Sequence, residues 1–259
     1  MKNIIIPSSL LFVFLIFLSS CKKEDPLPKV TDATIRADFQ AISLDPGVQD
    51  IELEVAENVF YSFRVIVPDV DLSQDWPLIM AFHGASGGSA DAHKTTDCYI
   101  EPGFQDLDAF IIHPNAGQDE WYEISNQNKV QTLLRLSTEY WPIDFDKIAA
   151  TGYSNGGNMS WLMAEVAFEA FTASIPIASS YDMSVTDSTS RKVTIPMYVI
   201  HGENDELFPI ADTKKWVDES IAAGSDITFV QADSLTHFMP CDYVPYVQDA
   251  AMWLKELWQ

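Results

Sequence analysis

The spacing of apolar residues changes along this chain, and each change marks an element. Val59 to Val67 alternates, with Tyr61, Phe63, Val65 and Val67 on one face, which predicts a half-buried strand. Asp50 to Ala56 predicts its antiparallel partner across the turn at Glu57-Asn58. Pro77-Leu78-Ile79-Met80-Ala81-Phe82 has no polar face, and Ala109 to His113, Ile148 to Thr151, Phe171 to Ala178, Pro196 to His201 and Ile227 to Gln231 are similarly apolar. Short runs of this kind suit parallel strands covered on both sides. Between them the period lengthens to that of a helix: at about 126–139, from Asn155 onward with Trp161, Met163, Ala164 and Ala167 on one face, over Thr213 to Ala223, and over Pro245 to Trp258 with Val247, Ala251, Leu254 and Leu257 along one side. Strand and helix in alternation predict an α/β fold, a doubly wound, mostly parallel sheet flanked by helices. There is no internal repeat and no second domain. The polar connection from Ser179 to Lys192 is too short for a substantial cap, so a site on this fold should be open.

The amino terminus follows another logic. Lys2, the apolar run Ile4 to Leu18 and the small residues before Cys21 have the form of a secretory signal over residues 1–20, too short and wrongly flanked for a stable span. A cysteine directly after such a site resembles a bacterial lipobox, with Cys21 lipidated and a lipid anchor as the sole membrane contact. Lys22-Lys23-Glu24-Asp25 is similar to the export tags of some surface lipoproteins. These features place the protein outside the cytoplasm. Residues 21–45, with Pro26 and Pro28, read as a tether, and 46–259 as the domain proper. A formal charge of −23 repels phosphate backbones and excludes nucleic acid as a partner. Of three cysteines, Cys98 and Cys241 remain to pair in an oxidising compartment once Cys21 is assigned to the anchor. Nothing in the sequence fixes an oligomeric state.

Candidate chemistry centres on Gly152-Tyr153-Ser154-Asn155-Gly156. It falls between a strand pattern and a helix pattern, where a G-x-S-x-G turn forces the serine into a strained conformation and exposes its hydroxyl. With only 11 glycines in the chain, this spacing in this context carries information. A serine hydroxyl needs a base within reach and an acid to orient that base. In hydrolases with such a turn the order along the chain is serine, acid, histidine. His237 is the one histidine that follows a suitable acid, and Asp205, just past a strand end, is the expected acid, with Glu203 and Asp182 as rivals. His83 and His201, before glycines at strand ends, are expected to be structural. His93 and His113 have no acid or nucleophile pattern around them. His83-Gly84-Ala85-Ser86-Gly87-Gly88-Ser89 leaves a central strand and is suited to present a backbone N–H to an oxyanion. With Asn155, Ala85 is the expected donor. Trp121 and Tyr122 are expected as exposed aromatics that contact substrate. No histidine or cysteine spacing suggests a metal, and no cofactor is implied.

His83-Gly84, Asp146-Lys147-Ile148 with Gly152 to Gly157, His201-Gly202 with Asp205, and His237 together resemble the α/β-hydrolase esterases grouped as polyhydroxybutyrate depolymerase, LpqC-type and feruloyl esterases. The resemblance spans about 60–258. It implies Ser154 as nucleophile, Asp205 as acid and His237 as base, and an ester substrate, small or polymeric, carrying feruloyl or acetyl groups on polysaccharide or belonging to a polyester. Relatives often carry Gly-His-x-Trp-Pro around the histidine. Thr236-His237-Phe238-Met239-Pro240 keeps only the proline of the flanking pattern. A serine peptidase, or a non-catalytic fold that binds glycans through exposed aromatics, are the alternatives from other classes.

Overall fold

The computed structural model describes residues 30–186 and 189–259. Eight of the apolar runs join in one sheet: β1 (Gly47–Ala56), β2 (Val59–Val67), β3 (Trp76–Phe82), β4 (Phe110–Pro114), β5 (Ile143–Tyr153), β6 (Ala173–Ile177), β9 (Met197–Gly202) and β10 (Ile227–Ala232). β7 (Ser184–Thr186) and β8 (Thr189–Ser190) form a small separate hairpin within the connection expected to be a loop. The spatial order of the large sheet is β1-β2-β4-β3-β5-β6-β9-β10. β2 runs antiparallel to both β1 and β4, and every other pairing is parallel.

The fully apolar runs are buried on both faces, as their composition requires. In β3, Leu78, Met80 and Phe82 pack into one cluster together with side chains of α3 (Ile124–Tyr140), α4 (Asn155–Val166) and α5 (Ile210–Ala222). The alternate residues Ile79 and Ala81 face α2 (Ile100–Phe104) and α6 (Val244–Leu257). This is the expected doubly wound α/β fold. Gly103 lets α2 and α6 approach closely, because a Cβ there would lie 2.3 Å from Val247 Cγ1.

One boundary is corrected. Residues 1–29, including the signal reading and Cys21, lie outside the described residues, but the remainder of the supposed tether is folded onto the domain. Thr31 accepts from Thr34 N–H at 3.2 Å and caps α1 (Asp32–Gln40). Phe39 is fully buried, its ring 4.9 Å from that of Trp141 and 6.4 Å from that of Phe63. Burying a phenylalanine contributes about 2–3 kcal/mol, a driving force no tether needs. Arg36 pairs with Glu139, and Asp32 with Arg135 at 3.8 Å, which lays α1 along the far part of α3. Among the described residues no helix is long and apolar enough to cross a membrane.

Cys98, just before α2, is bridged to Cys241, in the short 3₁₀ turn Pro240–Tyr243, with Cα atoms 5.1 Å apart across 143 residues of sequence. The bridge pairs the cysteines expected from the sequence. Closing so long a loop restrains the unfolded chain, so reduction should lower stability by about 2–5 kcal/mol. Thermal unfolding with and without reductant checks this, and an unchanged midpoint in protein whose bridge peptide mapping has verified would contradict it.

Candidate active site

β5 ends at Tyr153 and α4 begins at Asn155, leaving Ser154 alone in the turn at φ 57° and ψ −121°. That left-handed φ costs a non-glycine residue on the order of 1–3 kcal/mol, and the surroundings must enforce it. They do so by close approach. A Cβ on Gly152 would lie 2.3 Å from Gly156 O, and one on Gly156 would lie 2.1 Å from Phe82 O, so a methyl group at either position would force the strand and helix apart. Ser154 N–H donates to Ile177 O at 2.9 Å, tying the turn to the neighbouring strand.

The loops after β9 and β10 complete a line of hydrogen bonds. Ser154 Oγ lies 2.8 Å from His237 Nε2, and His237 Nδ1 lies 2.8 Å from Asp205 Oδ2. A carboxylate can only accept, so Nδ1 carries the proton and Nε2 of the neutral ring is free to accept from the serine. The other oxygen of Asp205 accepts N–H bonds from Leu207 (3.0 Å) and Phe208 (2.7 Å). Burial pushes the Asp205 carboxyl up, but the hydrogen bonds from His237 and Phe208 outweigh it and hold the group below its ordinary range. It is therefore an anion at neutral pH. The two rival acids are occupied elsewhere: Glu203 Oε2 accepts from Ser234 N–H at 2.9 Å, and Asp182 Oδ1 from Ser184.

His237 is fixed along its backbone as well. Its N–H donates to Glu206 Oε2 at 2.9 Å, and its carbonyl accepts from the Tyr153 hydroxyl. Phe208, Tyr153 and Phe238 stand around the imidazole at 5.3–5.6 Å between ring centroids. His201 is structural as expected. It donates from Nε2 to Phe208 O at 2.7 Å, and burial holds it below its ordinary range, so it braces the loop of Asp205 as a neutral ring.

The loop after β3 covers the other side of Ser154. A Cβ on Gly84 would lie 3.5 Å from Ser154 Cβ. His83 locks this loop: Nδ1 donates to Gly84 O at 2.6 Å while Nε2 accepts from Ala116 N–H at 3.0 Å, an arrangement that only the neutral ring can make. Burial pushes His83 down to about 4 in agreement with that geometry. Ala85 and Asn155 line a cleft together with residues 117–121.

Trp121 corrects an expectation. It is not an exposed aromatic, being 1% accessible; its Nε1–H donates to His83 O at 2.7 Å and its ring packs on Phe82 and His83. Tyr122 is exposed at 61%, as expected, and Leu207 (53%) and Phe238 (68%) stand equally free on the loops that carry Asp205 and His237. Sequence reasoning also missed Glu120, whose Oε2 accepts from Asn155 Nδ2 at 2.7 Å, and Glu206. No sequence pattern marks either, since both act through loops that meet only in the folded chain. Among the described residues no three His, Cys, Asp or Glu side chains are grouped to hold a metal.

Residues 65–253 match the family model described as the dienelactone hydrolase family. Among solved structures, the chain is similar to a thermostable esterase (23% identity, TM-score 0.66), covering 81% of this chain and 62% of that one. It is also similar to a propionate-bound thermophilic esterase from Thermogutta terrifontis (16%, 0.65; 82% and 95% covered) and to FphF, a fluorophosphonate-binding serine hydrolase of Staphylococcus aureus (13%, 0.65; 81% and 99%). At these identities the likeness is one of fold. No curated protein matches the chain.

The buried histidines make stability fall on the acid side. His83, at about 4, and His113, which burial pushes down to about 3, stay neutral in the native state where an unfolded histidine takes a proton below about 6.5. Well above pH 6.5 neither state is protonated and nothing is lost. Between 6.5 and the folded value the unfolded chain alone binds the proton, so lowering the pH from 7 to 5 should remove roughly 2 kcal/mol for each of the two. Asp205, held low, adds its own loss only at more acid pH, below the ordinary carboxylate value. Urea titrations at pH 7 and 5 measure the change, and equal midpoints would refute it.

Proposed function

Because this chain belongs to the dienelactone hydrolase family, we propose that Ser154, His237 and Asp205 form a catalytic triad that hydrolyses carboxylic esters through an acyl-enzyme. The observation that carries this reading is the unbroken pair of 2.8 Å contacts from Ser154 Oγ through His237 to Asp205. As Oγ attacks the ester carbonyl, Nε2 takes its proton, and the Asp205 anion stabilises the imidazolium without accepting the proton itself. The N–H groups of Asn155 and Ala85 receive the oxyanion, each donor contributing about 10²–10³ in rate. The tetrahedral intermediate collapses as His237 hands its proton to the leaving alcohol. A water then enters by the same route in reverse and frees the acid.

Feruloyl or acetyl esters of polysaccharides are the substrates this reading favours, in line with the resemblance to polyhydroxybutyrate depolymerase, LpqC-type and feruloyl esterases; polyesters come second. The exposed Tyr122, Leu207 and Phe238 offer apolar walls for an aromatic acyl group, and the short connection 179–192 leaves room for a polymer. The protein acts outside the cytoplasm, anchored by lipid at Cys21. The Cys98–Cys241 bridge supports that placement, since such bridges persist in oxidising compartments.

Ser154→Ala and His237→Ala should each lower kcat on aryl esters by a factor on the order of 10⁴ or more with the fold intact, because the two side chains act as a unit. Steady-state kinetics with circular dichroism as a control test this, and a His237→Ala enzyme close to wild type would exclude the assignment. Cys21→Ser should move the protein from the membrane pellet to the soluble fraction with activity retained; unchanged fractionation would rule out the anchor.

A further inference from the structure

Glu120 holds a position that the proposed triad does not use. Its Oε2 accepts from Asn155 Nδ2 at 2.7 Å, while Asn155 Oδ1 accepts from Trp121 N–H at 3.4 Å. Asn155 directly follows Ser154, so this carboxylate is bonded to the side chain of the residue next to the proposed nucleophile. Glu120 and its neighbour Asp119 line a cleft together with Gly84, Ala85 and Asn155. No lysine or arginine is among the residues lining that cleft. Lys129, on the helix that follows, gives its ammonium to Asn126 Oδ1 at 3.0 Å and to the carbonyl of Asn115, and burial pushes it down to about 8. It is engaged in holding the loop. The neutral Asn155 amide shares the charge of Glu120 without cancelling it.

We propose that Glu120 is a specificity-determining residue that makes the site reject esters bearing a free carboxylate beside the scissile bond and accept neutral or cationic ones. The proposal rests on the esterase reading and narrows it. Glu120 is exposed at the mouth of this cleft; like charges about 4 Å apart at a protein surface still repel by an amount worth about tenfold in rate, whereas an uncharged substrate feels no such penalty. Feruloyl and acetyl groups pass this filter. An oligoester whose terminal carboxylate enters the cleft does not.

A matched pair of p-nitrophenyl esters, one with an acyl chain ending in a methyl ester and one ending in the free acid, measures the selection. Wild-type protein should prefer the neutral ester by about tenfold in kcat/KM. Glu120→Gln keeps an oxygen to accept from Asn155 and should shrink that ratio several-fold, with the change largest at low salt, where the charge is least screened. Glu120→Lys should carry the ratio further in the same direction. Equal rates on both esters by the wild type, or an unchanged ratio in both variants, overturns the proposal; a purely structural role would slow the two esters in parallel and so also overturns it. Labelling of Ser154 by a neutral and a carboxylate-bearing fluorophosphonate reads the same ratio without turnover. Selective labelling by a protein that cleaves neither ester upholds the charge filter while removing the esterase reading, and turnover without selection does the reverse.

Discussion

The site depends on a contact between main chains. Gly152 and Gly156 press against each other and against the carbonyl oxygens at the end of β3 so closely that no side-chain atom fits between them. That approach drives Ser154 into its left-handed conformation and sets the loop of His83 and Gly84 over the hydroxyl. Strain at one residue is tolerable because the sheet on one side and α4 on the other are rigid and well buried. Hydrophobic packing supplies the stiffness, and the two glycines turn it into a local geometry that side chains alone could not impose.

Two polar networks then grip the serine from opposite sides. One comes from the second half of the chain, where Asp205 and His237 are positioned by backbone N–H groups, Glu206 and Tyr153. The other comes from the first half, where His83, Trp121 and Glu120 fasten the loop after β3 and Asn155, the residue after Ser154. Each network is nearly closed in its hydrogen bonding, which is the condition under which buried polar groups confer rigidity rather than cost. Cys98 and Cys241 cross-link the two halves beside this meeting place.

What the sequence reveals follows from how local each cause is. The sheet was legible because uninterrupted apolar runs have one stable use, and the turn at Ser154 because its glycines must sit two residues to either side. Asp205 and His237 could be placed from chain order and strand ends, and the structure brings both to Ser154. The failures have non-local causes. Helix α1 has a single deeply buried residue, Phe39, and its partner Trp141 lies a hundred positions on, so in sequence the segment is indistinguishable from a polar tether. Trp121 and Tyr122 are adjacent and alike, yet one braces a carbonyl and the other faces solvent; only the fold of the loop decides. The Glu120–Asn155 pair joins two loops with no shared pattern.

The placement of α1 also fixes an orientation. Ser154, Asp205, His237 and the loop of His83 and Gly84 all follow the carboxyl ends of their strands, and α3 starts at that same edge and runs back beneath the sheet. Asp32 meets α3 at Arg135, about 16 Å along its axis, and Arg36 meets it still farther on, at Glu139. The described chain therefore enters the domain from the side away from the strand ends that carry Ser154 and His237. Helix α1, packed on the far part of α3, therefore adds nothing to the walls of the cleft beside Ser154 and leaves it open.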